Sequence, residues 1–208
     1  MHRHPNLLKR FPSTQCTMLV VANTTDDYLG NVQHPLQHTY ACAVSSEDAL
    51  AALSNIGLPI VELGAGSGYW GALLRNRGVG CVLFDRSPPT DTGRNMYFSR
   101  TFTEGLWGED DKASEYPDHA LLLVWPYSEQ EANAPWAQSA LPWDVRALDA
   151  YKGAVVAHVG ELEEGVASVA TSLPFKKRIA ADFYLGCSLE LPSWIHCSDR
   201  LAIWRRKQ

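Results

Sequence analysis

Apolar and polar positions follow two different periods along this chain, and the changes of period predict its strands and helices. Four apolar runs indicate buried strands: PIVEL, CVLFD, ALLLVW and AVVAHV. The segments SSEDALAALSNIG, YWGALLRNRG and WDVRALDAYKG instead repeat their apolar residues every three or four positions, which indicates helices. Continuous apolar strands separated by helix-length segments are typical of a parallel sheet covered on both faces. The pattern therefore predicts an α/β fold.

The ends of several elements can also be predicted. Ser45 is expected to cap the first of these helices, with Asp48 three residues later, and Gly57 is expected to end it. Near the C-terminus, FKKRIAADF and RLAIWRR predict two final strands. Residues 1–44 lack a regular pattern, so we predict an N-terminal extension, ordered in part, followed by one domain over residues 45–208. A chain of 208 residues that is 46% hydrophobic is long enough for such a core.

Charge and cysteine content limit the classes of protein to which this chain can belong. Lys and Arg number 18 against 23 Asp and Glu, a net charge of −5, which gives no electrostatic basis for binding nucleic acid. No apolar run approaches the ~20 residues of a membrane span, so no membrane association is expected. Five cysteines without CxxC spacing predict a reduced, intracellular protein and no metal site.

The composition of the first 25 residues is relevant to the cellular compartment of the protein. They contain basic residues, Arg3, Lys9 and Arg10, and no acidic residue before Asp26, a composition found in organellar transit peptides. A disordered or loosely packed tail also accounts for them, and we favour that interpretation. A cytoplasmic location is therefore expected, with an organellar matrix as the alternative.

A run of alternating glycines follows the first strand and precedes the second helix. Gly64, Gly66 and Gly68 lie between PIVEL and YWGALLRNRG. Glycine lets the backbone turn sharply and lets a ligand lie against it, and open parallel sheets bind ligands beyond the carboxyl ends of their strands. Asp85 ends the next strand, where its carboxylate can accept the hydroxyl hydrogens of a ribose. The two strand ends together predict a nucleoside-binding site.

Two cofactors satisfy this pattern. Gly66, Gly68 and Gly71 match G-x-G-x-x-G, the fingerprint of dinucleotide-binding proteins, with Asp85 close to the usual spacing. The run from Glu62 to Gly68 also reads E-x-G-x-G-x-G, and in this it resembles motif I of the class I S-adenosylmethionine-dependent methyltransferases. A carboxylate at Glu62 would repel a pyrophosphate and attract a sulfonium or ammonium group, which favours S-adenosylmethionine over NAD.

The resemblance implies a set of cofactor-binding residues and a fold. The residues on the motif are Glu62, Gly64, Ala65, Gly66 and Gly68, with Asp85 holding the ribose and Arg86 near the adenine. The family fold is a Rossmann-like, seven-stranded, mostly parallel sheet with helices on both faces and an antiparallel final hairpin. It covers roughly residues 45–206. The pieces YACAVSSEDAL, NMYF, LLLVWPY, YKGAVVAHVGE and DRLAIWRR are similar to an uncharacterised subgroup, which offers no substrate.

Candidate catalytic residues lie at the end of the fourth strand. Amino-group methyltransferases of this fold have D/N-P-P-Y there, whereas this chain has Trp125, Pro126 and Tyr127, so a nitrogen acceptor is not carried over. Trp125 and Tyr127 could wall the sulfonium and the acceptor through cation–π contacts, or Trp125 could simply close the edge of the sheet. A general base could come from Tyr127, His158 or Glu161, although a histidine within an apolar strand is more typical of a core.

Two segments are expected to shape the acceptor pocket. Residues 128–142 are long for a connection between a strand and a helix, and they predict a lid, a segment packed on the sheet or a contact with a partner protein. The segment LELPSWIHCSDR, residues 189–200, is a second candidate rim. The N-terminal extension is the other candidate surface for a protein partner.

Three functions remain at this point. The first is methyl transfer from S-adenosylmethionine to a small-molecule or protein acceptor. The second is a catalytically silent protein of the same fold that acts as a binding or assembly subunit. The third is an NAD-dependent oxidoreductase, which the carboxylate of Glu62 disfavours.

Overall fold

The computed structural model describes residues 25–88, 97–126, 141–163, 170–195 and 197–208. The chain divides into two units between Leu36 and Gln37. The first unit includes a π-helix, Leu29–Gln33, and helix α1, His34–Thr39, contains the division. None of the helices in the described ranges combines the length and apolar composition that crossing a bilayer requires.

The second unit alternates strands and helices as the hydrophobic pattern predicts. In chain order its elements are α2 (Glu47–Ser54), β1 (Ile60–Leu63), α3 (Tyr69–Arg75), β2 (Cys81–Asp85), β3 (Leu106–Trp107), a 3₁₀-helix (Asp110–Glu115), β4 (Ala120–Val124), α4 (Trp143–Ala150), β5 (Val155–Gly160), α5 (Leu173–Asp182), β6 (Phe183–Glu190) and β7 (Arg200–Arg206).

The strands form one seven-stranded sheet in the order β3-β2-β1-β4-β5-β7-β6. Strands β1 to β5 pair with one another in parallel, while β7 pairs antiparallel with both β5 and β6. The predicted fold class, mostly parallel with an antiparallel final hairpin, is confirmed. The chain order of the strands reverses between β1 and β4, and open sheets of this kind bind ligands at such a reversal. The loop that follows β1 lies at this position.

Both faces of the central strands are buried, which explains why these strands are continuous apolar runs. Side chains of β1 and β4 alternate between two clusters. The first contains α2 and α3, and the second contains α4 and α5. Ile60 and Leu122 lie in the first cluster, while Val61 and Leu121 lie in the second. A polar residue placed within these strands is therefore removed from water on either face.

The prediction that FKKRIAADF forms a strand is wrong, because most of it lies in α5. The hydroxyl of Ser172 accepts a hydrogen bond from the Phe175 backbone N–H at 3.1 Å, and Pro174 lies in the first turn. Phe175 and Ile179, four residues apart, are buried, which is the helical period. The strand β6 begins only at Phe183. A serine cap followed by proline was the sequence signal for this helix.

The helix α2 begins one residue later than predicted. Ser46, rather than Ser45, is its cap, and its hydroxyl accepts a hydrogen bond from the Ala49 N–H at 3.2 Å. Residues 37–44 of the predicted extension belong to the second unit, and two hydrogen bonds connect them to the rest of it. The indole N–H of Trp194 donates to the Cys42 carbonyl at 2.6 Å, and that of Trp70 donates to the Ala43 carbonyl at 3.4 Å.

Candidate nucleoside site at the carboxyl ends of the strands

The glycine loop, residues 64–68, joins β1 to α3 through left-handed backbone conformations. Gly64, Gly66 and Gly68 have φ angles of 69°, 56° and 74°. Side chains rarely tolerate these angles, so the alternating glycines are a requirement of the turn itself. The Gly68 N–H donates to the Ala65 carbonyl at 2.8 Å, and the Ala72 N–H donates to the Gly68 carbonyl at 2.9 Å, which starts α3. The predicted tight turn between strand and helix is present.

Asp85 lies directly beside the glycine loop. Its Oδ2 accepts the Gly66 N–H at 2.9 Å and its Oδ1 accepts the Ser87 N–H at 2.8 Å. The Ala65 N–H also donates to the Phe84 carbonyl at 3.0 Å, so the loop is bonded to the end of β2. A carboxylate has about four lone-pair positions, so it can accept several hydrogen bonds at once. The sequence prediction that these two strand ends meet is therefore supported by direct hydrogen bonds.

Glu62 does not present a carboxylate at the surface of the site. Its residue is 2% exposed, and its Oε2 has no hydrogen-bond partner in the described part of the chain. Burial and the negative charge of Asp85 raise the pKa of Glu62 to about 8, against opposing effects of the Gly71 N–H and Arg75. The group is therefore mainly neutral at pH 7. Our charge argument assumed an ionised Glu62, and the burial of β1 on both faces removes that assumption.

Three residues cover the glycine loop: Phe98 and Trp143 with their rings, and Thr103 with its backbone carbonyl. A Cβ atom on Gly66 would lie 2.5 Å from Cε2 of Phe98, and one on Gly68 would lie 2.5 Å from the Thr103 carbonyl oxygen. A Cβ on Gly64 would approach the Trp143 ring to 3.0 Å. The sequence analysis did not identify this cover, although Phe98 ends the NMYF piece. The loop requires glycine both for its backbone angles and for these close contacts.

The two remaining cofactor candidates flank the same loop. Ala65 is buried within it, with 7% of its surface exposed. Arg86 is exposed directly after β2. Both positions are compatible with the roles that the family resemblance implies, and these roles remain predictions.

Trp125 follows β4 in an unusual conformation. Its φ is 47°, which is rare for a residue with a side chain. Its backbone N–H donates to the Val159 carbonyl at 2.9 Å, and its indole N–H donates to Oδ1 of Asp199 at 2.8 Å. The indole is half-buried and packs against the cluster on the α2–α3 face. Tyr127 and residues 128–140 lie outside the described residues.

Asp199 is a site residue that the sequence analysis did not single out, although it lies in the candidate rim 189–200. It is 2% exposed, and its Oδ2 has no partner within the described residues. Burial raises its pKa to about 6; the hydrogen bond from Trp125 opposes this increase, and Glu161 adds to it. A carboxyl group with such a pKa changes charge close to neutral pH.

The other candidate bases lie in different surroundings. His158 is fully buried between β5 and α5, where Nε2 lies 3.2 Å from the Thr171 hydroxyl and the ring stacks on Phe175 at 4.9 Å. Burial and, to a lesser extent, Lys176 lower its pKa to about 3, so it is neutral at pH 7. His158 is thus a core residue. Glu161 is half-buried, and its Oε1 accepts the Ser198 N–H at 3.1 Å.

Comparison with known proteins places this fold among similar solved structures. No protein-family model and no curated protein sequence matches the chain. A Burkholderia thailandensis 1,6-didemethyltoxoflavin-N1-methyltransferase with bound S-adenosylhomocysteine is 15% identical, covering 96% of this chain and 93% of that one, with a TM-score of 0.47. A TehB-like S-adenosylmethionine-dependent methyltransferase from Corynebacterium glutamicum is 14% identical, covering 93% and 100%, with a TM-score of 0.47.

A third similar structure is the magnesium protoporphyrin IX methyltransferase of Synechocystis with bound S-adenosylmethionine. It is 9% identical, covers 96% of this chain and 86% of that one, and has a TM-score of 0.44. Identities and TM-scores this low say nothing about which reaction this chain performs, so function has to be inferred from its own residues.

Proposed function

We propose that this protein binds S-adenosylmethionine at the glycine loop and transfers its methyl group to a small-molecule or protein acceptor. The observation that carries the proposal is the hydrogen bond from the Gly66 N–H of the glycine loop to Oδ2 of Asp85. This bond lies where the chain order of the strands reverses, next to β1. Backbone without side chains and a carboxylate at the end of the neighbouring strand suit a cofactor that contains a nucleoside. The seven-strand order supports the same assignment.

The residues of the site would have distinct tasks. When bound, S-adenosylmethionine would supply an activated methyl group on a positively charged sulfur, for transfer to a lone pair of the acceptor. Asp85 would hold the ribose hydroxyls, and the glycine loop would lie against the amino-acid part. Trp125, after β4, would help to position the acceptor and exclude water.

We expect S-adenosylmethionine and S-adenosylhomocysteine to bind the wild-type protein in calorimetric titrations, and NAD not to bind. Asp85→Asn should weaken S-adenosylhomocysteine binding at least about tenfold, because a hydrogen bond to a charged group contributes roughly 1.5–3 kcal/mol. Asp118→Asn is the matched control, since Asp118 is exposed near the start of β4, at the opposite edge of the sheet. Binding of NAD alone would contradict the proposed cofactor.

One observation favours a second function, a catalytically silent protein of the same fold that serves as a binding or assembly subunit. The ring of Phe98 comes within 2.5 Å of where a Cβ of Gly66 would be, against the backbone that the cofactor would approach. If this ring stays in place, the loop is closed to a nucleoside. The protein would then keep the glycines for the fold alone.

Phe98→Ala separates the two functions. For the methyltransferase we expect wild-type protein to bind S-adenosylhomocysteine, with the Phe98 ring displaced at little cost. The substitution should then change the dissociation constant by less than about tenfold. For the silent protein we expect no wild-type binding and the appearance of binding in Phe98→Ala. Calorimetry on both proteins, with thermal unfolding as the check of folding, distinguishes these outcomes.

A further inference from the structure

The ends of β4 and β5 and the start of β7 bring together residues that the proposed cofactor site does not use. Arg200, the first residue of β7, pairs with Gly160, the last residue of β5. Because β7 is antiparallel, its start lies at the same edge of the sheet as the carboxyl ends of the parallel strands. Asp199 therefore lies beside the end of β5, and its bond to Trp125 joins it to the end of β4.

Asp199 is held firmly by its backbone and by one of its carboxylate oxygens. Its N–H donates to the Ser193 hydroxyl at 2.9 Å, and its carbonyl accepts the Leu191 N–H at 3.0 Å. Oδ1 accepts the indole N–H of Trp125. Oδ2 is buried and has no partner in the described parts of the chain. Buried polar atoms are normally hydrogen-bonded, and an unpaired one costs about 1–3 kcal/mol, so this oxygen requires an explanation.

The charges around Asp199 indicate what would satisfy Oδ2. Among the described residues, the charged group found to act on Asp199 is Glu161, which is also acidic. The thiols of Cys42 and Cys197 are close enough for Asp199 to act on them, and their pKa values are raised to about 11, so they add no charge at pH 7. A positively charged donor would both fill the hydrogen bond of Oδ2 and offset two negative charges.

We propose that Asp199 and Trp125 form the subsite for the methyl acceptor, and that the acceptor is an amine held by Oδ2 of Asp199. This inference rests on the proposed function. A metal ion would need several ligands, about four for zinc and six to eight for calcium, whereas Asp199 offers one free oxygen. An organic ammonium needs one carboxylate oxygen, with which it forms a charge-assisted hydrogen bond.

The same oxygen has a role in preparing the acceptor. An ammonium group has no lone pair and cannot act as a nucleophile. When its proton moves to Oδ2 of Asp199, the N–H bond breaks, an O–H bond forms, and the electron pair stays on nitrogen as the nucleophilic lone pair. Asp199 becomes neutral in this step and later releases the proton to water. A carboxyl group whose pKa is about 6 is closer to that of an amine than an exposed aspartate would be.

The test is binding of benzylamine, which is cationic, and benzyl alcohol, which is its neutral analogue of similar shape. Ligand-observed NMR titrations at pH 7.5, with and without S-adenosylhomocysteine, are expected to show tighter binding of benzylamine to the wild-type protein. Asp199→Asn should weaken benzylamine binding at least about tenfold and leave benzyl alcohol unchanged, because the amide keeps the oxygen that accepts the Trp125 indole N–H. Asp118→Asn, the same substitution at an exposed position, should change neither.

A pH series gives a readout that a structural role would not produce. Benzylamine binding to wild type should weaken from pH 7.5 to pH 5, as Asp199 becomes protonated, and should be independent of pH in Asp199→Asn. Equal benzylamine affinity in wild type and Asp199→Asn, or no preference over benzyl alcohol, would overturn the proposal. So would absence of benzylamine binding to the wild-type protein.

A second measurement needs only the wild-type protein, in case Asp199→Asn does not fold. The carboxyl ¹³C shift of Asp199 followed against pH should show a lower pKa when benzylamine is present, and an unchanged pKa would overturn the subsite. The S-adenosylhomocysteine titration is independent of these results. If benzylamine binding depends on Asp199 while S-adenosylhomocysteine fails to bind, the amine subsite stands and the proposed methyltransferase function fails.

Discussion

The substitution Glu62→Gln is expected to raise the free energy of unfolding at pH 8 by about 4 kcal/mol more than it does at pH 4. Glu62 has a folded-state pKa of about 8 against an ordinary value of 4.5. Between these two pH values the unfolded chain has lost this proton and the folded chain keeps it. The free energy of unfolding therefore falls as pH rises, by about 1.4 kcal/mol for each pH unit. Glutamine cannot ionise, so this fall in the free energy of unfolding with rising pH is absent from the variant.

His158 makes the opposite contribution on the acidic side. Its pKa falls from 6.5 to about 3 on folding, so the unfolded chain takes up a proton below pH 6.5 that the folded chain excludes. Its contribution to stability is therefore lost as pH falls from 6.5 towards 3. Between pH 4.5 and 6.5 the slopes from His158 and Glu62 have opposite signs and largely cancel. The alkaline loss from Glu62 should thus be clearest between pH 6.5 and 8.

Urea unfolding at pH 4, 6 and 8 measures the effect in wild type and Glu62→Gln. Glu190→Gln is the matched control for the same substitution at the surface, because the Glu190 side chain is 85% exposed even though it pairs with Arg200. Parallel pH profiles for wild type and Glu62→Gln would show that Glu62 ionises normally in the folded protein. In that case the charge argument for a cationic cofactor would regain its basis.

Gly68→Ala is expected to destabilise the protein by about 2–5 kcal/mol and to abolish binding of S-adenosylhomocysteine. Its φ of 74° costs a residue with a Cβ about 1–2 kcal/mol. The new Cβ would also lie 2.5 Å from the Thr103 carbonyl oxygen, a backbone atom that cannot rotate away. Such overpacking adds about 1–3 kcal/mol and would displace the loop from Asp85.

Gly78→Ala isolates the cost of the backbone angle. Gly78 has a φ of 78° and no atom within 4 Å of the position of its Cβ, so this substitution carries the strain without the contact. We expect a loss of about 1–2 kcal/mol in urea unfolding and unchanged calorimetric binding. If Gly68→Ala and Gly78→Ala lose equal stability and the former still binds, the loop is not tightly enclosed by Thr103.

The local sequence pattern was sufficient to predict most helices and strands. It was insufficient for the segment in which α5 runs directly into β6. The buried strands could be predicted because two covered faces require continuous apolar residues. Most of FKKRIAADF forms a helix rather than the predicted strand, because its buried residues Phe175 and Ile179 are four positions apart. The serine cap at Ser172 carried the correct information locally.

The sequence by itself determined the parallel sheet, the glycine loop and the proximity of that loop to Asp85. These follow from backbone angles that only glycine tolerates well and from the common edge at which parallel strands end. Tertiary structure alone decided that Glu62 is neutral, that Phe98 covers Gly66, and that Asp199 meets Trp125 across 74 positions of sequence. Burial depends on which layers pack together, and the insertion of β7 beside β5 sets that contact, so neither can be deduced from local periodicity.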